Sequence, residues 1–169
     1  MKFISLIFVL SLLIGCGFQL RGTEQVVFLD FHSIYIETGD IHGDIHRILK
    51  DKFQQSKVEV STDSSEAQYT VLITDERNSR RAIAHSNSQI ITEYEIAQEV
   101  SLHLVNKEGD YLISQEKVSA ERFYALNDQI LDSSFQEERL LREEMQQDLS
   151  EQIFRRVNAG IQGYENKKN

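Results

Sequence analysis

The chain contains a single cysteine, Cys16, and its neighbours set up the one piece of covalent chemistry the sequence plainly offers. Leu13-Ile14-Gly15-Cys16 closes an apolar run that begins at Phe3, behind the positively charged start Met1-Lys2. A charged start, an apolar stretch and a small residue ahead of the cut form the layout of an export signal. Leu13 supplies an apolar recognition residue, and Gly15 leaves a peptidase room at the Gly15–Cys16 bond. The Cys16 thiol is the nucleophile that takes a diacylglycerol. The spacing therefore predicts removal of residues 1–15, N-acylation of the new terminus at Cys16, and attachment to a membrane through lipid. As a helix, Phe3 to Ile14 spans only about 18 Å, against roughly 30 Å of bilayer hydrocarbon, so an uncleaved membrane anchor is the poorer reading. With Cys16 acylated, no thiol is left for a disulfide, and the domain must fold on its apolar core alone.

Other candidate chemistry is thinner. His42 and His46 stand four residues apart with Asp40 and Asp44 nearby, a spacing that can share a metal, but no third ligand is evident from elsewhere. A solvated helix start explains the same residues, and no metal is expected. The serines at 61, 64, 65, 86, 88, 133 and 134 lack the Gly-x-Ser-x-Gly setting of an activated nucleophile and suit turns and caps. The acids spread along solvent faces, without an apolar-flanked pair whose pKa would split. No glycine-rich loop suited to phosphate is present. The expectation is a protein that is not an enzyme and carries no cofactor beyond the N-acyl diacylglycerol on Cys16.

Charge narrows the partners. The formal charge is −9, and removal of Lys2 with the leader would make the remainder about −10. An acidic domain is not drawn to nucleic acid or to an anionic membrane surface, so attachment must come from lipid, and stable attachment takes more than one chain. Apolar residues at 40% and charged residues at 27% fit an ordinary globular domain. Proline and tryptophan are both absent, for which there is no physical account.

The elements that position these residues follow from periodicity. Residues 16–32 read as an acylated N-terminus and tether. Ser33-Ile34-Tyr35-Ile36-Glu37 reads as a strand, and Thr38-Gly39-Asp40 breaks it. A helix is predicted from about Gly43 to Ser56, with Ile45, Ile48, Leu49 and Phe53 on one stripe. Val58-Glu59-Val60 is a short strand start before a polar link. Tyr69, Val71 and Ile73 alternate with threonines, and the strand resumes through Arg81 to Ala84. Ile90 to Val105 puts Ile96, Val100, Leu102 and Leu104 on one face, and Glu93, Glu95, Glu99 and His103 on the other, as in an antiparallel strand covered on one side. Residues 106–110 turn the chain into a strand over Tyr111 to Arg122. Ser134 with Glu137 matches a capping box. It opens a long helix whose stripe is Leu141, Met145, Leu149, Ile153 and Val157, widened by Leu140, Phe154 and Ile161. Gly160 is expected to cap that helix, and residues 162–169 to fray. The order β-α-β-β-β-α predicts an α+β two-layer sandwich over residues 33–161: a four-stranded mixed sheet with two helices on one face and a polar open face.

Taken in order, these segments resemble the lipopolysaccharide-assembly lipoproteins of the LptE family, formerly rare lipoprotein B. The resemblance is carried by Cys16-Gly17-Phe18-Gln19-Leu20-Arg21-Gly22, by Ile34-Tyr35-Ile36-Glu37-Thr38-Gly39-Asp40 leading into the amphipathic helix, by Thr92-Glu93-Tyr94-Glu95, and by the terminal helix. It covers essentially the whole chain after the leader. It implies a non-enzymatic outer-membrane lipoprotein that plugs the lumen of the β-barrel LptD and helps deliver lipopolysaccharide to the cell surface. It also implies basic contacts to lipopolysaccharide near the tip of the hairpin before the long strand. Here that tip reads Ala84-His85-Ser86-Asn87-Ser88, and the nearest candidates are Arg77, Arg80 and Arg81. The three arginines equally suit a solvated edge that resists aggregation. The alternative function is a periplasm-facing lipoprotein binding module, accessory to a lipid-transport complex, which would call for an apolar cavity between helices and sheet.

Overall fold

The computed structural model describes residues 29, 31–85, 91–125 and 131–168, with side chains left out at 84, 85, 91, 92 and 131–133. The chain forms β1 (Ser33–Thr38), α1 (Asp44–Gln55), β2 (Glu59–Val60), β3 (Tyr69–His85), β4 (Ile91–Asn106), β5 (Tyr111–Ala125) and α2 (Leu131–Lys168). The sheet runs β2-β1-β3-β4-β5. β1 is parallel to both β2 and β3, and the rest is an antiparallel meander.

The α+β sandwich expected from the sequence is present, with five strands where the pattern predicted four. The extra one, β2, is too short for alternation to register. It is held by the Glu59 amide donating to His32 O and the Ser61 amide to Ile34 O, both at 2.8 Å. α1 ends as a sharp stop: Lys57 takes a left-handed φ of 64°, and its amide and that of Val58 reach Gln54 O and Phe53 O. This is the crossed bonding of a Schellman motif, with buried Val58 and Phe53 as its apolar contact.

The interior lies between the sheet and the two helices. Ile45, Ile48, Leu49 and Phe53 of α1 are all buried, as are Met145, Leu149, Ile153, Phe154, Val157 and Ile161 of α2. Leu141 is half-buried, but Leu140, expected to widen the stripe, is 54% exposed. The core begins before β1: Phe31 is buried, 6.4 Å from the Phe53 ring and 5.5 Å from Tyr69.

Three expectations for the last helix are corrected. Ser134 is not its N-cap, because the helix is already formed at Leu131 and Ser134 is buried within it. Gly160 is not a C-terminal cap, and residues 162–168 are helical. A Cβ on Gly160 would lie 3.1 Å from Leu104 Cδ2 and 3.2 Å from Ile113 Cδ1, so the missing side chain lets the helix seat closely on β4 and β5. The helix runs on because its last turns have partners: Ile161 is buried, Asn106 donates to Tyr164 Oη at 3.2 Å, and Tyr69 Oη donates to Glu165 at 2.5 Å.

Candidate functional site

Among the register shifts of the long strands, one in β3 and one in β5 bear on which of their side chains face the helices. Between Thr74 and Arg77, β3 takes three steps while β4 takes two, from Ser101 to Glu99. Asp75 absorbs the extra residue with φ 52°. Alternation therefore changes phase. Tyr69, Val71 and Ile73 are buried before the bulge, and Arg80 pairs with fully buried Ile96 after it. β5 repeats the device at Gln115, with φ 54°, whose amide donates to His103 Nδ1 at 3.2 Å.

The phase change separates the three candidate arginines. Arg80 points to the helix side, where its guanidinium lies 3.7 Å from the Tyr94 ring centroid. Its Nε donates to Tyr124 Oη at 2.8 Å and lies 3.2 Å from Glu138 of α2. Tyr124 also donates to Glu138, and Arg142 donates to the other Glu138 oxygen at 2.7 and 3.0 Å. Burial and the hydrogen bond to Glu138 push the Tyr124 hydroxyl up to about 12. Burial works to raise the Glu138 carboxyl, but the hydrogen bonds from Tyr124 and Arg142 and the nearby charges of Arg142 and Arg80 hold it below the ordinary glutamate value. The cluster is a polar clasp joining the far half of the sheet to the start of α2.

Arg81 and Arg77 lie on the outward face instead. Arg81 makes a two-pronged contact with Glu95 at 2.8 and 2.9 Å, and Lys117 pairs with Glu99 at 3.0 Å on the same face. Arg77 stands opposite Glu99 in the ladder. It is exposed, and among the described residues no hydrogen bond or ion pair engages it. Residue pattern alone does not reveal this division, because the bulge that causes it has no local signature beyond a lapse in alternation.

Leu13, Gly15 and Cys16, which carry the lipidation expectation, lie outside the described residues, as does the 86–88 part of the hairpin tip. Among the described residues, no three His, Cys, Asp or Glu side chains group to hold a metal, and no helix is long and apolar enough to cross a membrane. The chemistry on view is contact chemistry: an ion-paired outward sheet face, one uncommitted arginine on it, and a clasp that fixes α2.

Residues 31–157 match the sequence profile of a family described as LptE, lipopolysaccharide-assembly. A search of curated protein sequences finds no significant match. Among solved structures, a lipoprotein B from Nitrosomonas europaea is similar at 26% identity, covering 85% of this chain and 92% of that one, with a TM-score of 0.72. The rare lipoprotein B of Shewanella oneidensis shares the fold at 13% identity, with a TM-score of 0.71 over 79% of this chain and 99% of that one. A minor lipoprotein from Acinetobacter baumannii shares it at 21% identity, with a TM-score of 0.64 over 78% and 93%.

Proposed function

The chain belongs to the LptE family of lipopolysaccharide-assembly proteins, and from that premise we propose that it is an outer-membrane lipoprotein whose domain plugs the lumen of the β-barrel LptD. In this reading acyl chains on Cys16 hold the domain at the membrane, and the pair delivers lipopolysaccharide to the cell surface. The work is done by shape and contact, without a catalytic step.

The observation that carries the proposal is the family match across all five strands and most of α2. The surface is compatible with it. Large barrels have polar interiors, so a plug must turn polar groups outward and keep its apolar groups inside. The outward sheet face does so through Arg81–Glu95 and Lys117–Glu99. Between helices and sheet, Leu49, Phe53, Val71 and Leu102 are fully buried against one another in a single core. That packing favours the plug over a module that holds lipid inside itself.

Arg77 is the group we assign to lipopolysaccharide on this face, since Arg80 and Arg81 are already committed within the domain. Arg77→Ala is expected to weaken capture of lipopolysaccharide by about fivefold, the worth of roughly 1 kcal/mol. Arg80→Ala is expected to act first on stability, seen as a lowered unfolding midpoint.

The decisive experiment is extraction of the tagged full chain in mild detergent, followed by identification of what comes with it. Co-purification with a β-barrel of much larger mass is the expected result, and recovery as a lone monomer overturns the plug. Mass spectrometry of the mature N-terminus tests the anchor separately. A terminus other than acylated Cys16 removes it.

A further inference from the structure

Beside its buried stripe, α1 carries a second row of side chains. His42, just before the helix, is followed by His46 and Lys50 at intervals of four, so the three share one side, with Arg47 next to them. These four basic side chains line a cleft of 510 Å³ at the β2 edge of the sheet, whose apolar wall is Tyr35, Ile36, Ile41 and Val60. The volume falls within the range of small-molecule sites, and so does the combination of apolar wall and few convergent polar groups.

Several features set the cleft apart from ordinary surface. Among the described residues no acid lines it, although the chain as a whole carries −9. Arg47 pairs with Asp44 at 2.6 Å, but both side chains are about half exposed or more, at 60% and 47%, so water and other anions compete easily for that contact. Lys50 has no ion pair among the described residues. Ile41 is left 60% exposed, an apolar group without a protein neighbour to cover it. Finally, His46 Nδ1 is shut off from solvent and has no hydrogen-bond partner. A buried polar atom left without a partner destabilises the empty protein. Burial, with Lys50 and His42 alongside, lowers the His46 pKa, while Asp40 opposes them. An anion in the cleft would act in the same direction as Asp40.

We infer that this cleft binds a small amphiphilic anion: a phosphate or carboxylate head group held among Arg47, Lys50 and the two histidines, with a hydrocarbon or aromatic body lying on Tyr35, Ile41 and Val60. The site shares no residue with the Arg77 face and does not rest on the barrel proposal. A protein that failed to bring down a barrel could still fill it, and the reverse.

The test uses the full chain in phosphatidylcholine nanodiscs, titrated with hexyl phosphate or hexanoate. Inorganic phosphate and hexanol are run beside them, and the His46 ring signals are followed by NMR. One of the two amphiphiles should shift the His46 signals, bind at least tenfold more tightly than phosphate, and raise the His46 pKa, while hexanol leaves the signals unmoved. The tighter of the two assigns the head group. The double variant Arg47→Gln with Lys50→Gln changes two exposed side chains and should weaken binding tenfold or more. Partition into the nanodisc is common to variant and parent and cancels. Equal affinity for phosphate and the amphiphiles would overturn the apolar half of the site. Equal response to hexanol would overturn the anionic half. An unchanged double variant would place binding elsewhere.

Discussion

Gly160 and Gly163 lie three residues apart in α2 and should respond to alanine with opposite signs. Away from packing, Gly→Ala in a helix interior stabilises by about 1 kcal/mol, because the unfolded chain loses freedom and the helix gains a better former. Gly163 is open: a Cβ there meets nothing within 4 Å. Gly163→Ala is therefore expected to stabilise by about 0.5–1 kcal/mol, somewhat less than the full value because the helix ends at Lys168. At Gly160 the new Cβ meets Leu104 Cδ2 at 3.1 Å and Ile113 Cδ1 and Cγ1 at 3.2 and 3.3 Å. Carbon pairs rest at about 3.5–4.0 Å, so three contacts are short together. Leu104 is fully buried and cannot step aside. Overpacking of this kind costs about 1–3 kcal/mol, which offsets or exceeds the helical gain. Gly160→Ala should thus be destabilising by up to about 2 kcal/mol, and the two variants should differ by about 0.5–3 kcal/mol.

Urea unfolding followed by far-ultraviolet circular dichroism measures both, and a difference in the middle of that range should separate the melting points by several degrees, at about 2–4 °C per kcal/mol. Gly160→Val, which adds branching at Cβ, should lose more than alanine. If Gly160→Ala and Gly163→Ala stabilise equally, the close seating of α2 on β4 and β5 is wrong, and with it the reason the helix tolerates a glycine there.

Other expectations follow from the clasp and the core. Glu138→Gln leaves Arg80 and Arg142 without their counter-charge and should cost about 1–2 kcal/mol at neutral pH, a figure discounted for the partial exposure of both arginines. Because the folded carboxyl sits below its ordinary pKa, its contribution is present above that ordinary value and lost as pH falls through the folded one. The gap between parent and variant should accordingly close in acid, and a gap of constant size down to pH ~3 would refute the assignment. Phe53→Ala removes a fully buried ring 5.1 Å from Phe154 and should cost about 3–5 kcal/mol by denaturant titration. Asn106→Ala cuts the side-chain links from the β4–β5 turn to Asp110 and Tyr164. Its expected signature is a loss of about 1–3 kcal/mol together with faster amide exchange at Asp110, whose N–H donates to the Asn106 side chain.

The parts of the fold legible in the sequence are those in which one short window holds the whole signal. The stripe of α1 and the alternation of β4 are of this kind, since one face is buried and the other wet over many residues. Ser134-x-x-Glu137 has the form of a start signal, yet Ser134 is buried inside a helix already under way, because packing on the sheet outweighs a local cap worth about 1 kcal/mol. Gly160 reads as a stop by composition alone. Only Leu104 and Ile113, dozens of residues earlier, explain why it is not one. The candidate arginines show the same limit. Nothing within residues 77–81 tells which guanidinium turns inward, since the answer depends on one extra residue at Asp75 and on Tyr124 and Glu138 far along the chain. The lipidation reading rests on its own window, Leu13 to Cys16, which lies outside the described residues.

The clasp also shows how one helix can serve two differently built halves of a domain. α2 has 38 residues, about 57 Å at 1.5 Å per residue, longer than the apolar core beneath it. From Met145 to Ile161 it is held by fully or nearly fully buried side chains. Nearer its start the cover is thinner, and Arg80 and Arg142 remain 37% and 30% exposed at the side chain. An apolar contact there would leave greasy surface at the rim, which invites association. Replacing a partly buried ion network by well-packed apolar residues is often neutral for stability. What such residues would not supply is direction. The planar guanidinium over Tyr94, the Tyr124 hydroxyl and the two oxygens of Glu138 fix both the roll of the helix and the phase of β3 after its bulge. That phase is what leaves Arg77 and Arg81 on the outward face. The clasp therefore secures the phase that the bulge at Asp75 sets, and a variant that loosens it should alter the outward surface before it unfolds the core.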